Sequence, residues 1–191
     1  NMDEESTLID LLQEQLNLKL YPVHRLDRKT SGVIILVKKR SDVKVFQDLF
    51  KQNKIQKTYY ALVRGFTPEE GVIDSPVKGR DANVHKEAKT VYRKLQETVL
   101  DIPVHPYSCS RYSLLELKPQ TGRLHQLRIH MNKISHPIVG DPKYGDRFHN
   151  RMFENELNLP KMFLHASSIQ FKHPFMKIEL IIFVIFLMRI V

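Results

Sequence analysis

Cys109 is the only cysteine in 191 residues. One thiol can neither close an internal disulfide nor build a thiolate zinc site, so a disulfide scaffold and a zinc-finger module are both excluded. Histidine-based metal motifs are missing as well. The nine histidines include no HExxH, and His125 and His130 stand five apart, a spacing that does not return to one helix face. There is no GxGxxG and no phosphate-binding loop, which leaves out the common nucleotide-cofactor folds. Repeats, linkers and low-complexity tracts are also lacking. Nothing reads as a signal peptide. The apolar tail "LIIFVIFLMRIV", Leu180 to Val191, is shorter than the roughly 20 residues a membrane-spanning helix needs. The expectation is a cytoplasmic monomer with no membrane and no metal partner.

What is present is a chain long enough for one domain with a sizeable core, and a 42% hydrophobic fraction that excludes wholesale disorder. Thirty Lys and Arg against 21 Asp and Glu leave a net charge of +9, which favours a polyanionic partner, most simply nucleic acid. A basic surface can also serve solubility alone. The distribution argues for more: from Lys118 to Arg151 there are seven Lys/Arg and two Asp/Glu.

Periodicity gives a coarse map. "STLIDLLQEQLN" has a serine at the cap position and leucines at 8, 11, 12 and 16, an amphipathic helix. "GVIILVKK" is a continuous β-branched run and reads as a buried strand. "SDVKVFQDLFKQNKI" reads as a second capped helix, with Val45, Phe46, Leu49 and Phe50 facing inward. "KTYYALVRG" is a strand ending at Gly65, and "TPEEG" a turn. "AKTVYRKLQ" and "RYSLLELKP" are strands around the loop "DIPVHPYSCS". "TGRLHQLRIHMNK" has helical spacing at Leu124, Leu127 and Met131. "PIVGDPKYGD" is a loop, "HASSIQF" a strand, and the apolar tail a buried terminal strand. Strands and helices mix without a βαβ rhythm, so the predicted class is α+β.

The stretch "HRLDRKTSG", His24 to Gly32, sets one carboxylate between arginines just ahead of the apolar run. An aspartate beside arginine is commonly a plain ion pair. Here the loop feeds a buried strand, where a carboxylate can sit at a rigid cleft edge. Burial disfavours its charge and an arginine partner restores it, leaving an ionised Asp27 able to act as nucleophile or base. Downstream, Arg123, His125, Arg128 and His130 crowd into a predicted helical turn and a half. Gly122 lets that helix N-terminus approach a ligand backbone, and such an end attracts phosphate.

"HRLDRKTSG", "KTYYALVRG", "LKPQTGRLHQLRIH" and "HPIVGDPKYGD", in this order, resemble the RluA-type pseudouridine synthases. "GDRFHNRMF" followed by "LHASSIQFKHPF" is most similar to the TruC branch, which modifies a uridine in the acceptor-side stem region of transfer RNA. The resemblance runs from about Tyr21 to Pro174. It implies a pseudouridine synthase fold: a mixed, mostly antiparallel sheet with flanking helices and a central catalytic cleft. It makes Asp27 the catalytic aspartate, Tyr59 the tyrosine that stacks on the uracil and a proposed proton acceptor, and Arg128 the basic partner of the aspartate. It makes Arg25 the arginine that enters the RNA stack as the base leaves. Lys57, Arg123 and His125 become candidate RNA contacts. Tyr60 belongs to the opposite strand face by alternation. The family carries an N-terminal segment of strands ahead of "HRLD", so the expectation is one catalytic domain over 1–191 without those strands. The isomerisation breaks N1–C1′ and rejoins the base through C5 with no redox change and no group lost, so no cofactor is expected. RNA, most simply transfer RNA, is the expected partner. Ribosomal RNA and a catalytically incomplete RNA-binding fragment are the alternatives.

Overall fold

Four long strands rich in apolar residues build the centre of the protein. The computed structural model describes residues 6–79 and 84–184. In chain order the helices are α1 (Leu8–Leu16), α2 (Val43–Lys51), α3 (Gln126–Lys133) and α4 (Arg147–Asn155). The strands are β1 (Tyr21–Pro22), β2 (Ser31–Gly32), β3 (Leu36–Val37), β4 (Gln56–Arg64), β5 (Glu70–Asp74), β6 (Val77–Lys78), β7 (His85–Lys86), β8 (Lys89–Leu100), β9 (Ser110–Pro119), β10 (Leu164–Lys172) and β11 (Glu179–Phe183). The main sheet has the order β11-β10-β4-β9-β8-β5. Its pairs are antiparallel apart from β2, which lies parallel to β10. The architecture is α+β, as expected.

Strand alternation sends β4 residues to opposite faces. Ala61 and Val63 join Leu115, Leu117 and the α3 residues Leu127 and Met131 on one face. Leu62 joins Tyr112 and the α4 residues Met152 and Phe153 on the other. A third cluster couples α2, through Phe46, to Val33, Val37, Ile169 and Phe171. Helices therefore flank the sheet on both sides.

Several elements depart from expectation. The cap of α1 is Thr7, not the serine before it. Its hydroxyl accepts from the Asp10 backbone N–H while the Asp10 carboxylate accepts from the Thr7 backbone N–H. Leu8, Leu11 and Leu16 stay exposed, and no residue of this helix is buried. In α2, Phe46 is buried and Leu49 and Phe50 pack at the cluster margin, whereas Val45 is exposed. No side chain caps this helix. The run "GVIILVKK" is two short strands with different partners, not one. Gly32 (φ +115°) lies against β10, where a Cβ would come to 2.1 Å of the Ala166 carbonyl oxygen. Val33 N–H then donates to that oxygen, and Leu36–Val37 crosses to pair with Tyr21–Pro22. Helix α3 begins at Gln126, so Leu124 lies ahead of it and is exposed. The apolar tail supplies β11 on the outer edge of β10. Its residues Ile181 and Phe183 are exposed, not buried; residues 185–191 lie outside the described residues.

Candidate active site

The loop after β1 is tied to the sheet at its far end. Thr30 N–H donates to the Asp27 carbonyl at 2.8 Å, closing a turn, and Ser31–Gly32 pairs with His165–Ala166 of β10. The Ser31 hydroxyl adds a 2.8 Å hydrogen bond to Nδ1 of His165. At its near end, Nε2 of His24 accepts from the Ile35 N–H at 2.9 Å, and the ring packs 4.6 Å from that of Phe50. Burial, and then the charge of Lys57, lower the His24 pKa to about 4, so the ring is neutral. Contacts at both ends thus hold the short loop that carries Asp27.

Asp27 sits on the wall of a cleft of about 460 Å³ between α2, β4 and the start of α3. Arg25, Lys57, Tyr59, Arg123, His125 and Arg128 all line the same cleft. The structure therefore brings these seven residues together from three segments far apart in sequence. The partner of Asp27 is Arg128, 101 residues downstream, whose Nη1 donates to Oδ2 at 3.0 Å. Arg128 is itself held by Asp141, through Nε to Oδ2 at 2.7 Å and Nη2 to Oδ1 at 2.9 Å. Asp141 is 1% exposed and also accepts from the N–H groups of Lys143 and Tyr144. Burial pushes its carboxyl up, but these hydrogen bonds, Arg128 foremost, outweigh it and hold the group below the usual carboxylate range. The hydrogen bonds to Asp141 likewise hold Arg128 above its ordinary value. The result is a buried, bidentate charge pair that presents one N–H to Asp27.

Tyr59 shares a strand face with Lys57, pointing into the cleft; Tyr60 does not line it. Burial, reinforced by the negative charge of Asp27, pushes the Tyr59 phenol up to about 12. It is a neutral O–H group on an aromatic face. Burial lowers Lys57, whose Nζ lies where a Cβ on Gly122 would come within 3.4 Å. Arg25 and Arg123 are exposed at the rim. Arg123 Nε donates to the Glu87 carbonyl at 2.9 Å, joining the α3 approach to the end of β7.

The basic cluster is not a continuous helical turn. Arg123 and His125 precede α3, and His125 stands at its cap position with φ 54°. Gln126 explains the geometry. Its Oε1 accepts from the Thr121 hydroxyl and the Arg123 N–H, and its Nε2 donates to the Lys89 carbonyl and Thr90 hydroxyl. One buried amide thus shapes the turn that carries Arg123 and His125. Gly122 lines the cleft, several residues ahead of the helix end. His130 faces away, bonded to Thr90 and the Ser75 carbonyl. Among the described residues no group of three or more metal-ligating side chains converges.

Reading the sequence missed Asp141, Tyr144 and Gln126. The signal for the first two was a carboxylate and an aromatic in a glycine-flanked loop, "GDPKYG". Gln126 was a lone amide on an apolar helix face.

The profile described as RNA pseudouridylate synthase matches residues 2–133, a span that includes Asp27, Tyr59 and Arg128. The tRNA pseudouridine synthase C of Vibrio parahaemolyticus is 39% identical over 188 residues, 93% of this chain and 76% of that protein. Its counterpart in Vibrio cholerae is 38% identical, covering 94% and 78%. The solved structure of Human RNA Pseudouridylate Synthase Domain Containing 1 superposes with a TM-score of 0.74 at 25% identity, covering 91% of this chain and 72% of the human one. A cleft that sets one held carboxylate beside a neutral tyrosine, in a chain matching this profile over more than half its length, leaves one assignment: the chain belongs to the RNA pseudouridylate synthase family, isomerases that convert uridine to pseudouridine.

Proposed function

We propose that this chain, acting as a monomeric cytoplasmic enzyme with one catalytic domain, isomerises a uridine of transfer RNA. The Asp27–Arg128 pair in the wall of the cleft that Tyr59 lines carries the reading. The names of the bacterial relatives, tRNA pseudouridine synthase C, supply the substrate class. A uridine enters the cleft only when flipped from its stack, at a cost of a few kcal/mol. Arg25, Arg123 and Lys57 offset that cost through phosphate and ribose contacts, with Arg25 filling the space the base vacates.

Asp27, oriented by Arg128, acts as nucleophile or base beside the glycosidic bond. Once N1–C1′ breaks, the free uracil must stay in place while it turns. The ring of Tyr59 is the surface that holds it. C5 then loses a proton and N1 gains one, so the net proton count is zero. A phenol held up at about 12 is a donor first, and accepts the C5 proton only as it hands on its own. This suits a group that lends a proton to the departing uracil and recovers it from C5.

The test is pseudouridine mapping after incubating purified protein with total transfer RNA and, separately, with ribosomal RNA. The expected result is one converted position in transfer RNA and none in ribosomal RNA. Conversion confined to ribosomal RNA would overturn the substrate assignment and keep the chemistry.

A further inference from the structure

The two oxygens of Asp27 are addressed by different residues, and both of those residues are set by one loop. Oδ2 accepts from Arg128 Nη1 at 3.0 Å. Oδ1 faces Nε2 of His125 at 3.9 Å. In the loop 140–145, Asp141 engages Nε and Nη2 of Arg128, which leaves Nη1 directed at Asp27. In the same loop the Tyr144 hydroxyl lies 3.1 Å from Nδ1 of His125, and its ring lies 5.2 Å from the Arg128 guanidinium carbon.

His125 holds a left-handed backbone, φ 54°, that a non-glycine residue adopts at a cost, and its side chain makes no capping hydrogen bond to α3. The imidazole instead spans Tyr144 and Asp27. Burial holds its pKa below the ordinary value. Asp27 and Asp141 pull it back up, while Arg128 and Lys143 push it further down. A neutral ring carries one N–H. If that proton sat on Nδ1, the Nε2 lone pair would face a carboxylate, which is repulsive. With the Tyr144 hydroxyl donating to Nδ1, Nε2–H faces Oδ1.

Building on the reading of Asp27 as the reacting carboxylate, we infer that the loop 140–145 is its positioning element. Through Asp141 it aims Arg128 at Oδ2, and through Tyr144 it aims the Nε2–H of His125 at Oδ1, so the carboxylate is presented in one orientation. Tyr144 and Asp141 are positioning residues: each acts on Asp27 through another side chain.

Two measurements on the intact chain test this. Long-range 1H–15N NMR at about pH 7.5 should show His125 neutral and in the Nε2–H tautomer, shifting to a mixture in Tyr144→Phe. A charged ring, or an Nδ1–H tautomer in the wild type, would overturn the inference whether or not the RNA reading holds. Kinetics on the modified RNA give the second readout. Tyr144→Phe should lower kcat about ten- to a hundredfold with KM within about twofold. In a His125→Asn background, which tolerates the left-handed backbone, Tyr144→Phe should cost nothing further. Losses that multiply, or that fall on KM alone, would count against action through His125. A wild type that converts no RNA would sink the functional reading instead, and the tautomer would still decide the geometry.

Discussion

Asp27 lies between Arg25 and Arg28 in sequence, yet neither holds it; the partner arrives from α3. Local sequence could say that an aspartate at a strand entry needed a cation. It could not say which, because a pairing over 101 residues is decided by the sheet and not by the neighbours. The motif "GDPKYG" offers the Asp141 carboxylate without showing what it holds, because its role exists only where Arg128 is buried beside it. Tyr59 was legible, since strand alternation separates it from Tyr60 and its motif places it on the cleft face. That placement carries a prediction. Tyr59→Phe keeps the ring and removes the O–H, so RNA affinity should stay within about twofold while turnover falls more than about tenfold. Tyr60→Phe should change neither. Filter-binding affinities and single-turnover rates of the two variants check it, and a sensitive Tyr60 with an insensitive Tyr59 would contradict the assigned strand face.

At the scale of elements, β4, β8, β9 and β10 are readable because each carries apolar residues over a span bounded by turn or loop residues. The run 32–39 was misread because apolarity reports burial and not pairing. Val33 and Val37 are indeed buried, but the backbone between them changes partners. Helix α3 is shorter than its leucine spacing suggests, because Gln126 ties down the turn that precedes it. Composition alone makes the terminal strand look buried, but it holds an edge that covers only part of its side chains. Gly32 is where an element meets the site. Alanine there must adopt φ +115° and set a Cβ against the Ala166 carbonyl oxygen at 2.1 Å. Gly32→Ala should therefore destabilise the protein by about 3 kcal/mol or more and detach the Asp27 loop from β10. Denaturant unfolding checks the first effect and loss of turnover in the surviving folded fraction the second. A variant of unchanged stability would mean that β2 is not held as described.

For the whole molecule, the sheet order does what no single segment can. Strand β10, late in the chain, lies between β4 on one side and β2 on the other, so Asp27 and Tyr59 reach one cleft. Helix α3 packs on the same face and delivers Arg128. The net charge of +9 suited a polyanion from the start, and the family places RNA in that role. The most direct test of this account is Asp27→Asn in purified protein, with pseudouridine formation and RNA binding measured on the same preparation. The substitution preserves shape and an acceptor oxygen for Arg128 Nη1, and removes the carboxylate charge assigned above as nucleophile or base. Pseudouridine formation should fall at least about a thousandfold with RNA affinity within about threefold of wild type. Turnover at the wild-type rate would reduce Asp27 to a structural partner of Arg128 and contradict the account.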